Sequence, residues 1–166
     1  MPTETWILNA SPIITLAKAG YLFLFDDLPS TFLIPGAVAR EIVSGPASDP
    51  ARKAVESGWG RSVSPSNVPS LILEWGLGAG ETEVLALALE VPSCAVVLDD
   101  RAARKCAGAL KISLLGTVGV VLRAKRKGLI PLAVPVLKAL LDAGLRIDEE
   151  TLRLSLERSA GETWPG

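Results

Sequence analysis

Asn9 and Ser11, Glu41, Glu81 and the pair Asp99–Asp100 are the residues of this chain whose types and spacing are suited to chemistry. The chain has no histidine. That excludes Ser-His-Asp and Cys-His nucleophile pairs and every His-ligated zinc site. Hydrolysis would have to rest on carboxylates and a metal. Carboxylates converging on one place repel each other and raise their own pKa values unless protons or a cation neutralise them. Hard divalent ions with oxygen ligands, Mg²⁺ or Mn²⁺, are the natural occupants of such a place. Taken singly, the acids also have ordinary explanations, Glu81 as a first-turn acid favoured by the helix dipole and Asp100 as an N-cap. Cys94 and Cys106 have neither zinc-knuckle nor CxxC spacing and read as reduced, structural thiols.

The elements that must position these residues alternate between strand and helix. Thr5 to Leu8 reads as a short buried strand, and Asn9-Ala10-Ser11-Pro12 breaks it and opens a helix through Lys18. Thr31 to Ile34 gives a second strand, and Pro35 starts a helix to about Val43. A helix from roughly Asp49 to Ser57 leads into a Ser- and Pro-rich stretch, Ser62 to Pro69, read as a weak strand and loop. The run GETEVLALALE from Gly80 to Glu90 is a helix, and Ala95 to Leu98 is the continuous apolar run of a central parallel strand. A helix from Arg101 to Ala109, a strand at Ile112 to Leu114 and a helix from Thr117 to Lys127 continue the alternation. Helices at about Ala133 to Ala143 and Asp148 to Ser159 end it. The pattern predicts an α/β fold, a parallel sheet covered by helices on both faces.

Ligands of open parallel sheets bind beyond the carboxyl ends of the strands. Asn9 and Ser11 follow the first strand, and Asp99 and Asp100 follow the strand at Ala95 to Leu98. Glu81 shares a helix face with the apolar Val84 and Leu85, whereas Glu83 and Glu90 are expected on the opposite side. Glu41 lies three residues after Val38 and beside Ile42, at the edge of an apolar face, and Arg40 points outward.

With 166 residues, 49% of them hydrophobic and 21% charged, the chain has the size and composition of one globular domain, 1–166. It carries no 18-residue apolar span. No basic segment precedes the apolar Trp6, Ile7 and Leu8, so a cytoplasmic location is expected. The charge is unevenly spread. Arg101, Arg104, Lys105, Lys111, Arg123, Lys125, Arg126 and Lys127 fall in a stretch without a single acid. Such a set grips a phosphate backbone or forms a solvated helix face. With one Tyr and three Phe, stacking on bases is not a visible device.

The segments WILNASPIITLAKAG, IPGAVAREIV, GAGETEVLALALE, VVLDDRAAR and LLGTVGVVLRAKRKGLIP resemble, in order and spacing, the PIN domains. The likeness is particularly to a prokaryotic subgroup related to VapC-type toxin ribonucleases, and it runs from about Trp6 to Ser159. It implies a PIN-like sheet and a Mg²⁺- or Mn²⁺-dependent endoribonuclease site made by carboxylates. Glu41 matches the family's helical glutamate, Glu81 the acid before the central strand, and Asp100, with Asp99 as an alternative register, the acid after it. Ser11 matches a small hydroxyl residue that supports the ligands. RNA would be the substrate, gripped by Arg101, Arg104, Lys105, Arg123, Lys125, Arg126 and Lys127. A cognate antitoxin and a homodimer would be the protein partners.

Asn9 departs from that pattern, standing where the family's Asp-x-Ser motif carries its metal-binding aspartate. An amide oxygen ligates Mg²⁺ without adding charge, so metal affinity should fall. A catalytically silent PIN-like module that binds RNA or protein is therefore the rival reading. A receiver- or phosphatase-like domain fits less well, because no aspartate follows the first strand. The stretch GLGAGE, Gly76 to Glu81, lacks the Gly-Lys-Ser/Thr ending of a phosphate loop.

Overall fold

The computed structural model describes residues 4–165. Four parallel strands form one sheet in the order β2-β1-β3-β4: β1 Thr5–Leu8, β2 Thr31–Leu33, β3 Cys94–Val97 and β4 Ser113–Leu115. In register, Trp6 lies beside Phe32 on one side and Ala95 on the other, and Val96 lies beside Leu114. Both central strands are buried, as their unbroken apolar sequences require.

The helices are α1 Ala10–Ala19, α2 Leu24–Asp27, α3 Gly36–Val43, α4 Pro50–Glu56, α5 Ser70–Leu73, α6 Ala79–Ala88, α7 Arg101–Ala109, α8 Thr117–Arg126, α9 Ala133–Asp142 and α10 Glu149–Ser159. Those of two turns or more fall where the periodicity places them. The single turns α2 and α5 carry no apolar repeat long enough to read. Contacts of α9 with both α1 and α8, and of α6 with α3 and α7, build the two helical layers over the sheet. Asp49, Asp100 and Asp148 cap α4, α7 and α10 with their carboxylates. Gly20 closes α1 in the left-handed conformation at φ 85°.

The expected weak strand at Ser62 to Pro69 amounts to one parallel bridge. Ile34 N–H reaches the Arg61 carbonyl at 2.9 Å, and Val63 N–H reaches the Ile34 carbonyl at 3.0 Å. Pro65 and Pro69 have no N–H to extend the ladder, so pairing stops there.

The chain steps from β1 out to β2 and then crosses back to β3 on the other side of β1. A reversal of this kind leaves a crevice at the carboxyl ends of the two central strands. Asn9 and Asp99 stand at its two lips.

Candidate functional site

Asn9 is 4% exposed and is the N-cap residue of α1, yet its side chain makes no capping bond. Its backbone N–H extends the sheet instead, to the Val97 carbonyl at 3.2 Å. Among the described residues, Asn9 Oδ1 is the buried side-chain oxygen left with no donor. A buried acceptor without a partner costs about 1–3 kcal/mol, so something outside the chain is needed to satisfy it.

What surrounds that oxygen is acidic. Gly80, in the first turn of α6, is buried, and a Cβ built on it would lie 3.3 Å from both Asn9 Oδ1 and Glu41 Oε1, and 3.4 Å from Val38 Cγ2. The absent methyl lets the amide and the carboxylate approach the same spot. Glu41 is exposed as a residue, but its carboxyl end leans into this packed corner. Burial first, and the charge of Glu81 second, push its pKa above the ordinary 4.5. Gly80→Ala should therefore fill the corner. Helix propensity favours alanine by up to about 1 kcal/mol, offsetting the crowding. Mn²⁺ affinity is expected to fall about tenfold while net stability changes by less than about 1 kcal/mol, as calorimetric titration and thermal melts would show.

Asn9, Ser11, Glu81, Asp99 and Asp100 line one cleft of about 320 Å³, with Gly144, Leu145 and Arg146 as its far wall. The residues picked from the sequence are thus brought together, with Glu41 reaching the same corner from α3. Asp100 Oδ2 accepts from Ala103 N–H at 2.9 Å, so the aspartate also caps α7. Asp99 is tied to Thr117, accepting from its N–H at 2.9 Å and from its hydroxyl at 2.5 Å. Gly116, the N-cap residue of α8, offers no side chain, and Asp99 caps that helix from outside. Asp99→Ala should leave the fully buried Thr117 without its acceptor and destabilise the fold by about 1–2 kcal/mol, measurable in urea.

Glu83 departs from its expected outward position. It turns to the start of α3, accepting from Ala37 N–H at 2.8 Å and facing Arg40 at 3.8 Å. The first N–H groups of α3 have no capping side chain of their own, because Pro35 is the N-cap. Glu90 is exposed, as expected, and binds the Ser66 N–H at 2.8 Å.

The basic residues divide into two groups. Arg101, Arg104 and Lys105 share a recess with Asp99 and Leu114. Arg104 donates to the Leu98 carbonyl at 2.9 Å, which fixes its guanidinium at the edge of the cleft. The α8 residues lie elsewhere. Arg123 faces Glu4 at 3.6 Å, and with Lys127 it borders a hollow against Glu4, Trp6 and Pro29, before the amino end of β1. Lys125 is held by Glu162 at 2.6 Å and the Ala160 carbonyl at 2.5 Å. Arg126 is exposed on the last turn of α8. Arg146 was not legible as a site residue. It follows α9 in a loop without a motif, and only the fold carries it to the cleft.

The donor set suits a hard cation in kind: an orphaned amide oxygen, carboxylates from three helices or strand ends, and a pair of acids that repel each other. Among the described residues, no three acidic or thiol side chains converge closely enough to hold an ion by themselves. Parallel strands in this order, with acidic groups gathered beyond the central pair, define an α/β protein of nuclease-like fold. The chain belongs to the PIN-domain family, whose family model, described as a PIN domain, matches residues 5–162. PIN domains generally use divalent metal ions. No curated protein matches the chain. No helix among the described residues is long and apolar enough to cross a membrane.

Proposed function

We propose that this chain is a Mg²⁺- or Mn²⁺-dependent endoribonuclease of the VapC toxin type, a single cytoplasmic domain weakened by Asn9. The observation that carries the reading is the partnerless Asn9 Oδ1, buried beside Glu41 and opening toward Glu81, Asp99 and Asp100. Glu41, Glu81 and Asp100 supply negative oxygens for the ion, with Asp99 beside them. Asn9 supplies a neutral oxygen, and Ser11 supports the cleft mouth. A bound divalent ion contributes charge stabilisation at the scissile phosphodiester and a water that deprotonates more easily. Burial and the neighbouring charge of Glu81 raise the Glu41 pKa above its ordinary value, and a cation in the cleft would favour its charged form. Cleavage of a mixed RNA pool with Mn²⁺, with Mg²⁺ and with EDTA tests this: metal-dependent cutting supports it, and equal inertness in all three removes it.

Arg101, Arg104, Lys105 and Arg146 border the cleft and its recess, and these are the cations that would hold the RNA backbone. Reversing Arg101 and Lys105 to glutamate is expected to weaken RNA binding about tenfold or more at low salt and to flatten its salt dependence. The same reversal at Arg123, already paired to Glu4, should change binding by less than about twofold. Filter binding across a salt series distinguishes the two. A cognate antitoxin and a homodimer belong to this reading. Leu71, Leu73, Trp75 and Leu89, all exposed, supply apolar surface for such contacts.

Asn9 also favours a second reading, a silent PIN module that binds RNA or protein through the same face. Without the first aspartate the cleft has one anion fewer to hold an ion. RNA binding without metal-dependent cleavage would select it.

A further inference from the structure

A second cavity of about 430 Å³ adjoins the acidic cleft and shares Asp99, Leu145 and Arg146 with it. Its walls are aliphatic: Leu114 and Leu115 of β4 and Val118 and Leu122 of α8 on one side, Ile147 on the other. Its volume lies within the range of about 300–1,000 Å³ usual for small-molecule sites. The rim is cationic. Arg104 is held in place by the Leu98 carbonyl at 2.9 Å and lies over Gly116, where a Cβ would come within 2.8 Å of its guanidinium. Arg146 is exposed, and no ion pair engages it among the described residues. Ser155, half-buried on α10, lines the same space, and its hydroxyl has no side-chain hydrogen bond among the described residues.

A cavity of mixed lining beside the acidic cleft, with aliphatic side chains on its walls and two guanidinium groups and a serine among its lining residues, has the complement of one nucleotide. The aliphatic walls take the faces of a base, the arginines its phosphate, and Ser155 a polar edge. We propose that this cavity binds a single unstacked nucleobase of the RNA substrate, next to the phosphate that lies in the acidic cleft. The inference rests on the ribonuclease reading and gives that site its means of choosing sequence. Gly119 belongs to the same design. It lines the cavity from inside α8, where glycine costs about 1 kcal/mol relative to alanine, and a Cβ there would come within 3.3 Å of Leu115 Cδ2 on the cavity wall.

The test titrates AMP, GMP, CMP, UMP and, as control, ribose 5-phosphate into the protein with EDTA present, following the methyl signals of Leu114, Val118 and Leu122. At least one nucleotide is expected to bind tenfold or more tightly than ribose 5-phosphate. Ser155→Trp, which fills the slot, should erase that advantage and leave ribose 5-phosphate binding unchanged. Gly119→Leu fills it from the opposite wall and serves if the first variant does not fold. Four nucleotides binding no better than ribose 5-phosphate, or an advantage that survives both fillings, overturns the proposal. Nucleotide binding without metal-dependent RNA cleavage would instead sink the ribonuclease reading and keep the pocket.

Discussion

Asn9→Asp is expected to tighten Mn²⁺ or Mg²⁺ binding at pH 7 by about tenfold to a hundredfold and to speed RNA cleavage. The size follows from adding a full negative charge against a divalent ion. Even at an effective dielectric of about 20, two unit charges 4 Å apart interact by about 4 kcal/mol. Repulsion from Glu41 and Glu81 takes back part of that gain. The exchange is nearly isosteric, so a change is assigned to charge and ligation rather than repacking. Asn9 is 4% exposed and its surroundings are already acidic, so the metal-free variant should be less stable than the parent. Saturating Mn²⁺ should more than recover the loss, because an ion bound to the folded state alone stabilises it by mass action. Calorimetric titration, melts with and without Mn²⁺ and a cleavage assay on both proteins check the three parts. Equal metal affinity in the two proteins would remove Asn9 from the ligand set.

Glu162→Ala should cost about 2–4 kcal/mol of stability, although the residue lies far from the cleft in sequence. Its carboxylate accepts from Ala133 N–H at 2.8 Å and Val134 N–H at 3.0 Å, capping α9, and meets Lys125 at 2.6 Å. The side chain is only 10% exposed, so removal strands two N–H groups and an ammonium that are largely shielded from water. Burial alone would push the Glu162 carboxyl up, but the Ala133 N–H, Lys125 and the Val134 N–H together pull it below its ordinary 4.5. A depressed folded-state pKa gives stability that is present above the unfolded value and lost as pH falls through the lowered one. The stability difference between parent and variant should thus be full at pH 6 to 7 and shrink below about pH 4.5. Urea unfolding of both proteins across that range measures it, and a constant difference would show that the interaction is not ionic.

Much of the framework was legible because its signals are local. Trp6-Ile7-Leu8 and Ala95-Val96-Val97-Leu98 are short apolar runs ended by polar residues, and the rule that parallel sheets bind ligands past their carboxyl ends pointed at once to Asn9 and Asp99. Glu81 and Glu41 were legible from helical spacing, which places an acid among apolar neighbours. The features that spacing did not show are all long-range pairings. Glu83 reaches back to Ala37, Asp99 forward to Thr117, and Glu162 back to Ala133, each satisfying N–H groups of a helix that has no capping side chain of its own. Nothing local marks such partners. Lys125 looked like an RNA contact for the same reason, since its partner lies 37 positions along the chain.

Clamped by Glu162 at its first turn, α9 packs against α1 and then releases the chain directly into Gly144, Leu145 and Arg146, the far wall of the cleft. Ten residues at 1.5 Å each make it a strut about 15 Å long between the tail segment and the acidic crevice. A tag or fusion that loads Glu162 is therefore not a neutral handle on this molecule. It pulls on one end of a helix whose other end leads into the wall of the cleft, so assays of metal and RNA binding belong on protein in which Glu162 keeps its bonds to Ala133, Val134 and Lys125.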